Sequence, residues 1–309
     1  MNFLALLGFA LAGYSVIAND SVQTLGTWIS SNKERFKWYT LWGAAALVLC
    51  GTLAYSWYTN GGDISFGRLE KIPYQEVKWY HALAPLALIF LTRKGIPVST
   101  SFLVLSAFAS SVVLGGMLMK SVVGYAVAAV AAYIVWWGLS KFIDERNDIK
   151  ESHKPYWRVA QWLTTGFLWI TWLAHDVANI AVFLPRSLSG VELISMLVFF
   201  TLILGWVFYE RGGKIQQLLI DKQNTKYVRS ATLIDLVYAL VLWYFKDLNS
   251  LPMSTTWVFV GLLTGRELAL SSSLVGKKKV FPMLVKDFGK LVIGLLVSVG
   301  IVLGIQYFL

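Results

Sequence analysis

Successive apolar runs, each long enough to cross a bilayer, constrain this chain more than any motif in it. Spanning the hydrocarbon core takes about 20 residues at a rise of about 1.5 Å each. Such runs lie near 3–29, 38–58, 122–143, 157–184, 191–209 and 280–309. A transmembrane barrel would instead alternate in roughly ten-residue segments, a pattern the sequence lacks. With 57% apolar and 14% charged residues and a mean hydropathy of +0.61, the chain reads as an all-α polytopic membrane protein. The stretch 1–17 has no basic leader and reads as a mature helix rather than a signal peptide. The formal charge of +10 then reports topology, not nucleic-acid binding. The single cysteine, Cys50, allows no disulfide within one chain. The 14 Trp and 14 Tyr are expected in interfacial belts.

Asp176 stands inside the run 157–184, in the stretch Leu173-Ala174-His175-Asp176-Val177-Ala178-Asn179. A carboxylate there costs about 3 kcal/mol or more unless it faces a cavity, a partner or an ion. It has a counterpart. Asp176 follows Asp20 by 156 residues, Pro252 follows Pro97 by 155, and Gly212-Gly213-Lys214-Ile215 follows Gly61-Gly62-Asp63-Ile64 by 151. Three distinct motifs in one order near one offset indicate an internal duplication. The first repeat covers 1–143, with a hairpin tip near 95–101. A polar cytoplasmic linker covers 144–156. The second repeat covers 157–309, with a tip near 251–256.

Gly95 and Pro97 interrupt the apolar arms 79–92 and 102–119, and Pro breaks helices. The arms then form a re-entrant hairpin, leaving about three crossings per half. An odd number of crossings turns the second half upside down. Basic residues favour this inverted repeat. With an external N-terminus, 16 Lys and Arg fall in cytoplasmic segments and 5 in external ones. The expected location is the bacterial inner membrane.

Inverted repeats with binding elements at the midplane are the architecture of secondary transporters. Ser99, Thr100 and Ser101 follow Pro97, and Ser254, Thr255 and Thr256 follow Pro252. Helices starting there would offer hydroxyls, backbone N–H groups and a positive dipole end to a tetrahedral oxyanion. Asn19, Asp20, Asp176 and Asn179 are hard oxygen ligands for a small cation. A carboxylate approaches a bound anion only with a cation or proton between them, so coupled symport follows. Asn179 lies one turn from His175 on the same helical face.

These residues also resemble the inorganic phosphate transporter (PiT) family, which includes sodium-dependent carriers and bacterial phosphate and sulfate permeases. Ala18-Asn19-Asp20 with Leu25-Gly26-Thr27, and His175-Asp176-Val177-Ala178-Asn179, are similar to its two Asn-Asp signatures. Gly95-Ile96-Pro97-Val98-Ser99-Thr100-Ser101 and Leu251-Pro252-Met253-Ser254-Thr255-Thr256 are similar to its hairpin tips. The resemblance covers nearly the whole chain. It implies a symporter of phosphate, or of sulfate, driven by sodium or protons. The six Ser/Thr positions would hold the oxyanion. Asn19, Asp20, Gln23, His175, Asp176 and Asn179 would form the coupling site, with sodium on Asp20 and Asp176. Three departures stand out. His175 replaces an Asn, Gln23 replaces an Asn, and Phe102 and Trp257 replace the His after each tip.

No cofactor is expected beyond the coupling sodium ion or proton. The expected partners are phosphate or sulfate and membrane lipid, not nucleic acid, and copies of the chain could assemble. His175 fits a proton carrier or a packing donor equally. Arg93 and Lys94 beside the first tip attract anions or snorkel. Lys246 and Asp247 stand in the corresponding place beside the second. Arg266 and Glu267 suggest an ion pair or a gate. The competing classes are a channel or structural subunit, and an intramembrane enzyme using His175 and Asp176.

Overall fold

A computed structural model describes residues 2–93, 98–139, 149–210, 228–248, 252–271 and 274–307. Every regular element among them is helical. The first run folds as α1 (Phe3–Ser15), a π turn (Val16–Asp20) and α2 (Ser21–Asn32), bent by 45°. α3 (Trp38–Thr59) follows. A 3-10 turn (Trp79–Ala82) and α4 (Leu83–Arg93) form the first hairpin arm. α5 (Thr100–Val104) and a 3-10 turn (Leu105–Ala107) return from the tip, and α6 (Ser111–Leu139) closes the first half. The second half contains α7 (Lys154–Asp176), α8 (Ala178–Ala181), α9 (Gly190–Tyr209), α10 (Val228–Leu248), α11 (Thr255–Leu270) and α12 (Leu274–Tyr307).

Among the described residues, five helices are long and apolar enough to cross a membrane, and six if the bent α1–α2 pair counts as one span. The chain is therefore an integral, polytopic membrane protein. Leu47, Leu163, Leu202 and Leu296 point outward, each at least 65% exposed. A surface of that kind is stable only against lipid.

Several expectations are corrected. The arm expected over 102–119 ends at Ala107, and α6 runs unbroken from Ser111 through most of 122–143. Its only breakers are glycines, which cost about 1 kcal/mol each and do not stop a helix. Within the expected linker 144–156, α7 already starts at Lys154, with Pro155 in its first turn. Proline is tolerated there because its missing N–H would have no helical partner. The tryptophans are not all interfacial. Trp136, Trp169 and Trp172 are fully buried. Trp169 stacks on Trp172 at 4.9 Å and donates to the Ala45 carbonyl at 3.0 Å.

The two hairpins differ in size. The arms of the first, α4 and α5, have 11 and 5 residues; α10 and α11 have 21 and 16. α10 packs along α7, and α11 packs along α6 of the other half. A Cβ on Gly261 would lie 2.3 Å from the Tyr125 carbonyl oxygen, and one on Gly265 1.9 Å from that of Ala129. Glycine at four-residue spacing thus lets two backbones touch, as in small-residue membrane packing.

Candidate functional site

Both hairpin tips are built alike. Ser99 and Ser254 have extended backbone and cap the helices that start at Thr100 and Thr255. The Ser99 hydroxyl accepts from the Phe102 N–H at 3.2 Å, and that of Ser254 from the Trp257 N–H at 3.3 Å. Capping satisfies one of the donors that a helix start leaves free. The N–H of Ser254 is also used, donating to Ser121 Oγ at 2.8 Å. All six Ser/Thr residues of the tips are buried.

Each tip is tied to the helix break of its own half. Thr100 Oγ1 donates to Asp20 Oδ2. Thr255 Oγ1 donates to Asp176 Oδ2 at 2.6 Å. The bonds share the sequence offset, since Thr255 follows Thr100 by 155 and Asp176 follows Asp20 by 156. The breaks themselves place the carboxylates. A π turn ends at Asp20, and α7 ends at Asp176 before the short α8. The two tips also meet. Ser101 Oγ donates to the Met253 carbonyl at 3.2 Å, and the Phe102 and Trp257 rings pack edge-on at 6.2 Å.

The remaining expected residues fall as follows. Asn179 Nδ2 donates to Asp176 Oδ1 at 2.9 Å. His175 Nε2 lies 2.8 Å from the Leu242 carbonyl, which joins the end of α7 to α10. Gln23 buries its Oε1 without a hydrogen-bond donor, and Asp20 Oδ1 and Asn179 Oδ1 do the same. The side chains of Asn19, Arg93 and Asp247, and residues Lys94 to Pro97, Gly212, Gly213 and Leu251, lie outside the described residues. Arg266 pairs with Glu267 at 2.8 Å and also donates to Ser230 Oγ at 3.2 Å. Among the described residues, no three His, Cys, Asp or Glu side chains gather as a metal site. A sodium ion would therefore draw on carbonyl, amide and hydroxyl oxygens as well.

Three residues that the sequence reading passed over belong to this region. Arg68, placed there among external charges, is 2% exposed and donates from Nε to the Ala174 carbonyl at 2.5 Å. Its charge reaches both Asp176 and His175. A tight loop delivers it. Asp63 accepts from Ser65 N at 2.7 Å, Ser65 Oγ at 2.8 Å and Gly67 N at 2.9 Å. Gly61, Gly62, Phe66 and Gly67 all adopt positive φ. Tyr238 donates to the Thr255 carbonyl at 3.0 Å, fixing the second tip to α10. Asp235, also on α10, accepts from Thr27 Oγ1 at 2.7 Å and Thr165 Oγ1 at 2.5 Å. It joins α2, α7 and α10 in the interior.

A helical membrane bundle with two interrupted helices, each facing a hairpin tip, has the build of a secondary-transporter fold. No protein-family model and no curated protein matches the chain. Among solved structures, it is similar to one described as "The sodium-dependent phosphate transporter", at 17% identity and a TM-score of 0.62. The match covers 97% of this chain and 95% of that one. The likeness is one of fold.

Proposed function

We propose that this protein is a secondary active symporter of a tetrahedral oxyanion. Phosphate is the first assignment and sulfate the alternative. The observation that carries the reading is the repeated Thr–Asp bond, Thr100 to Asp20 and Thr255 to Asp176, which joins tip to break in each half. A structural hydroxyl–carboxylate bond needs to occur only once. Its occurrence at equivalent positions fits a site built on a two-fold axis between inverted repeats. The fold it shares with a sodium-dependent phosphate transporter adds support.

The chemistry follows from charge. Asp20 and Asp176 are buried and lie within electrostatic reach of each other. An oxyanion entering beside them is repelled until positive charge is present. Binding of sodium, or of a proton, to this carboxylate set therefore precedes docking of the anion. The Thr256 hydroxyl and the first-turn N–H groups that the capping serines do not use then face the anion, and Ser101 joins them once its bond to the Met253 carbonyl is released. Burial of all six tip residues corresponds to an occluded step, from which alternating access opens one side at a time. The excess of basic residues in segments such as 33–37 and 149–158 supports a cytoplasmic side for these and an external N-terminus.

The test is uptake of labelled phosphate and of labelled sulfate into proteoliposomes, under sodium and proton gradients imposed separately. Gradient-driven accumulation of one of the anions is expected. A folded protein that accumulates neither under either gradient would sink the symport reading.

A further inference from the structure

Along both interrupted helices, closures of different chemistry lie on opposite sides of the break. On the side of α1 and α8 the closure is aromatic. Phe183 meets Phe108 edge-on at 5.3 Å, and Phe108 stacks on His81 at 4.2 Å. A Cβ on Gly8 would lie 2.4 Å from the Phe183 ring, so α1 presses on this stack. On the side of α2 and α7 the closure is a seam of side-chain hydrogen bonds. Nearest the breaks, Asp235 of α10 accepts from Thr27 Oγ1 at 2.7 Å and Thr165 Oγ1 at 2.5 Å. About one turn further, Gln161 donates to Ser31 Oγ at 2.6 Å and accepts from Asn32 Nδ2 at 3.0 Å. At the far end, Arg158 donates to Asn32 Oδ1 at 2.6 Å and to the Ser31 carbonyl at 3.3 Å.

The seam follows one face of each helix. Asp20, Thr24, Thr27 and Ser31 succeed one another at helical spacing, as do Arg158, Gln161, Thr165, Trp172 and Asp176. Each stripe therefore leads to a carboxylate at a break. Thr27, Asn32, Gln161, Thr165 and Asp235 are each at most 3% exposed. Polar side chains buried in a membrane bundle are costly unless a partner or a pathway requires them. A side-chain hydrogen bond adds little net stability, because water takes its place when the contact opens. Apolar and glycine contacts, such as that of α6 on α11, have no such replacement. The seam also joins α2 of the expected first repeat to α7 and α10 of the second. It is built to part and re-form wherever water can follow.

We infer that this seam is a gate, and that the anion and its coupling ion pass between α2 on one side and α7 and α10 on the other. The inference deepens the symport reading and rests on it for what passes, though not for the opening of the seam to water. The gate lies at the end of the bundle that carries the basic residues of 33–37, the face taken as cytoplasmic. Gln161 and Arg158 hold α2 against α7 and touch no substrate, so they are positioning residues. Thr24 is fully buried just inside the seam and donates to the Ser21 carbonyl of its own helix at 2.8 Å. Parting of α2 from α7 uncovers it.

The experiment uses the full chain with Cys50→Ser. Thr24→Cys is added as a probe behind the seam, and its labelling by a membrane-impermeant thiosulfonate is timed in right-side-out and in inverted vesicles. Gln161→Leu raises the labelling rate roughly tenfold from the face bearing 33–37 and leaves it unchanged from the other. If Gln161→Leu fails to fold, Thr165→Val carries the same comparison. A second protein, Ser31→Cys with Gln161→Cys, is bridged across the seam by a short bis-thiosulfonate. Bridging lowers labelled-phosphate uptake in proteoliposomes roughly tenfold or more, and reductant returns it to its value before bridging. A merely structural contact would leave uptake unmoved by the bridge. Uptake that survives bridging overturns the inference, as does a labelling rate that neither Gln161→Leu nor Thr165→Val raises, or that they raise equally from both faces. A wild type that accumulates neither phosphate nor sulfate, with labelling still controlled by Gln161 from one face, would remove the symport reading and leave the gated seam standing.

Discussion

The halves of this molecule make the same bond in different electrical settings. At the first break, Asp20 is held by Thr100 and keeps one oxygen unused. At the second, Asp176 is held by Thr255 and Asn179 with Arg68 nearby. The carboxylates and the hydroxyls recur at a spacing of 155 to 156 residues. The side chains around them differ: Asn179 and Arg68 stand with Asp176, and one oxygen of Asp20 has no donor among the described residues. Equivalence of position in a repeat is therefore a poor guide to equivalence of role.

Substitutions can break that comparison. The largest effect is expected from Asp20→Asn. Loss of a charge-assisted contact worth about 3 kcal/mol lowers uptake roughly 100-fold and removes its sodium dependence. Labelled-phosphate uptake against sodium concentration reads both. Thr255→Val and Thr100→Val come next, each removing a hydroxyl bonded to a carboxylate, worth about 1.5–3 kcal/mol. Thr255→Val should mainly raise the KM for the anion, and Thr100→Val the half-saturating sodium. Identical profiles for the two would erase the distinction between the halves.

Smaller effects test the frame. Gly265→Ala places a methyl against the Ala129 backbone and should destabilise the fold by about 1–3 kcal/mol, with a lower Tm and unchanged sodium cooperativity. Asn at 175 removes the bond to the Leu242 carbonyl and should cost about 1 kcal/mol, leaving the pH profile of uptake unmoved. A pH profile that changes in His175→Asn would make this residue a proton carrier after all.

Much of this arrangement is legible in the chain itself. Asp20, Asp176 and the two Ser/Thr tips are visible because polar residues in apolar runs are costly and these recur at one offset. Arg68 is not visible in that way. It sits in the polar stretch 61–78, and only the left-handed backbone of Gly61, Gly62, Phe66 and Gly67 turns that stretch inward. Asp235 was open to the same argument as Asp176, being a lone carboxylate in an apolar arm, but it has no repeated partner to draw attention to it. The course of α6 was hidden for another reason. The return arm ends at Ala107 and α6 starts at Ser111, with no proline or glycine between them to mark the turn.

The glycine contact between α6 and α11 has a mechanical consequence. α6 belongs to the first half and α11 to the second, and their backbones touch at Gly261 and Gly265. The second tip is the start of α11. Sliding the halves apart as intact blocks would tear α11 from α6 along its whole length. In the proposed transport cycle, the moving body would carry α6 and α11 together, across the boundary between the two expected repeats.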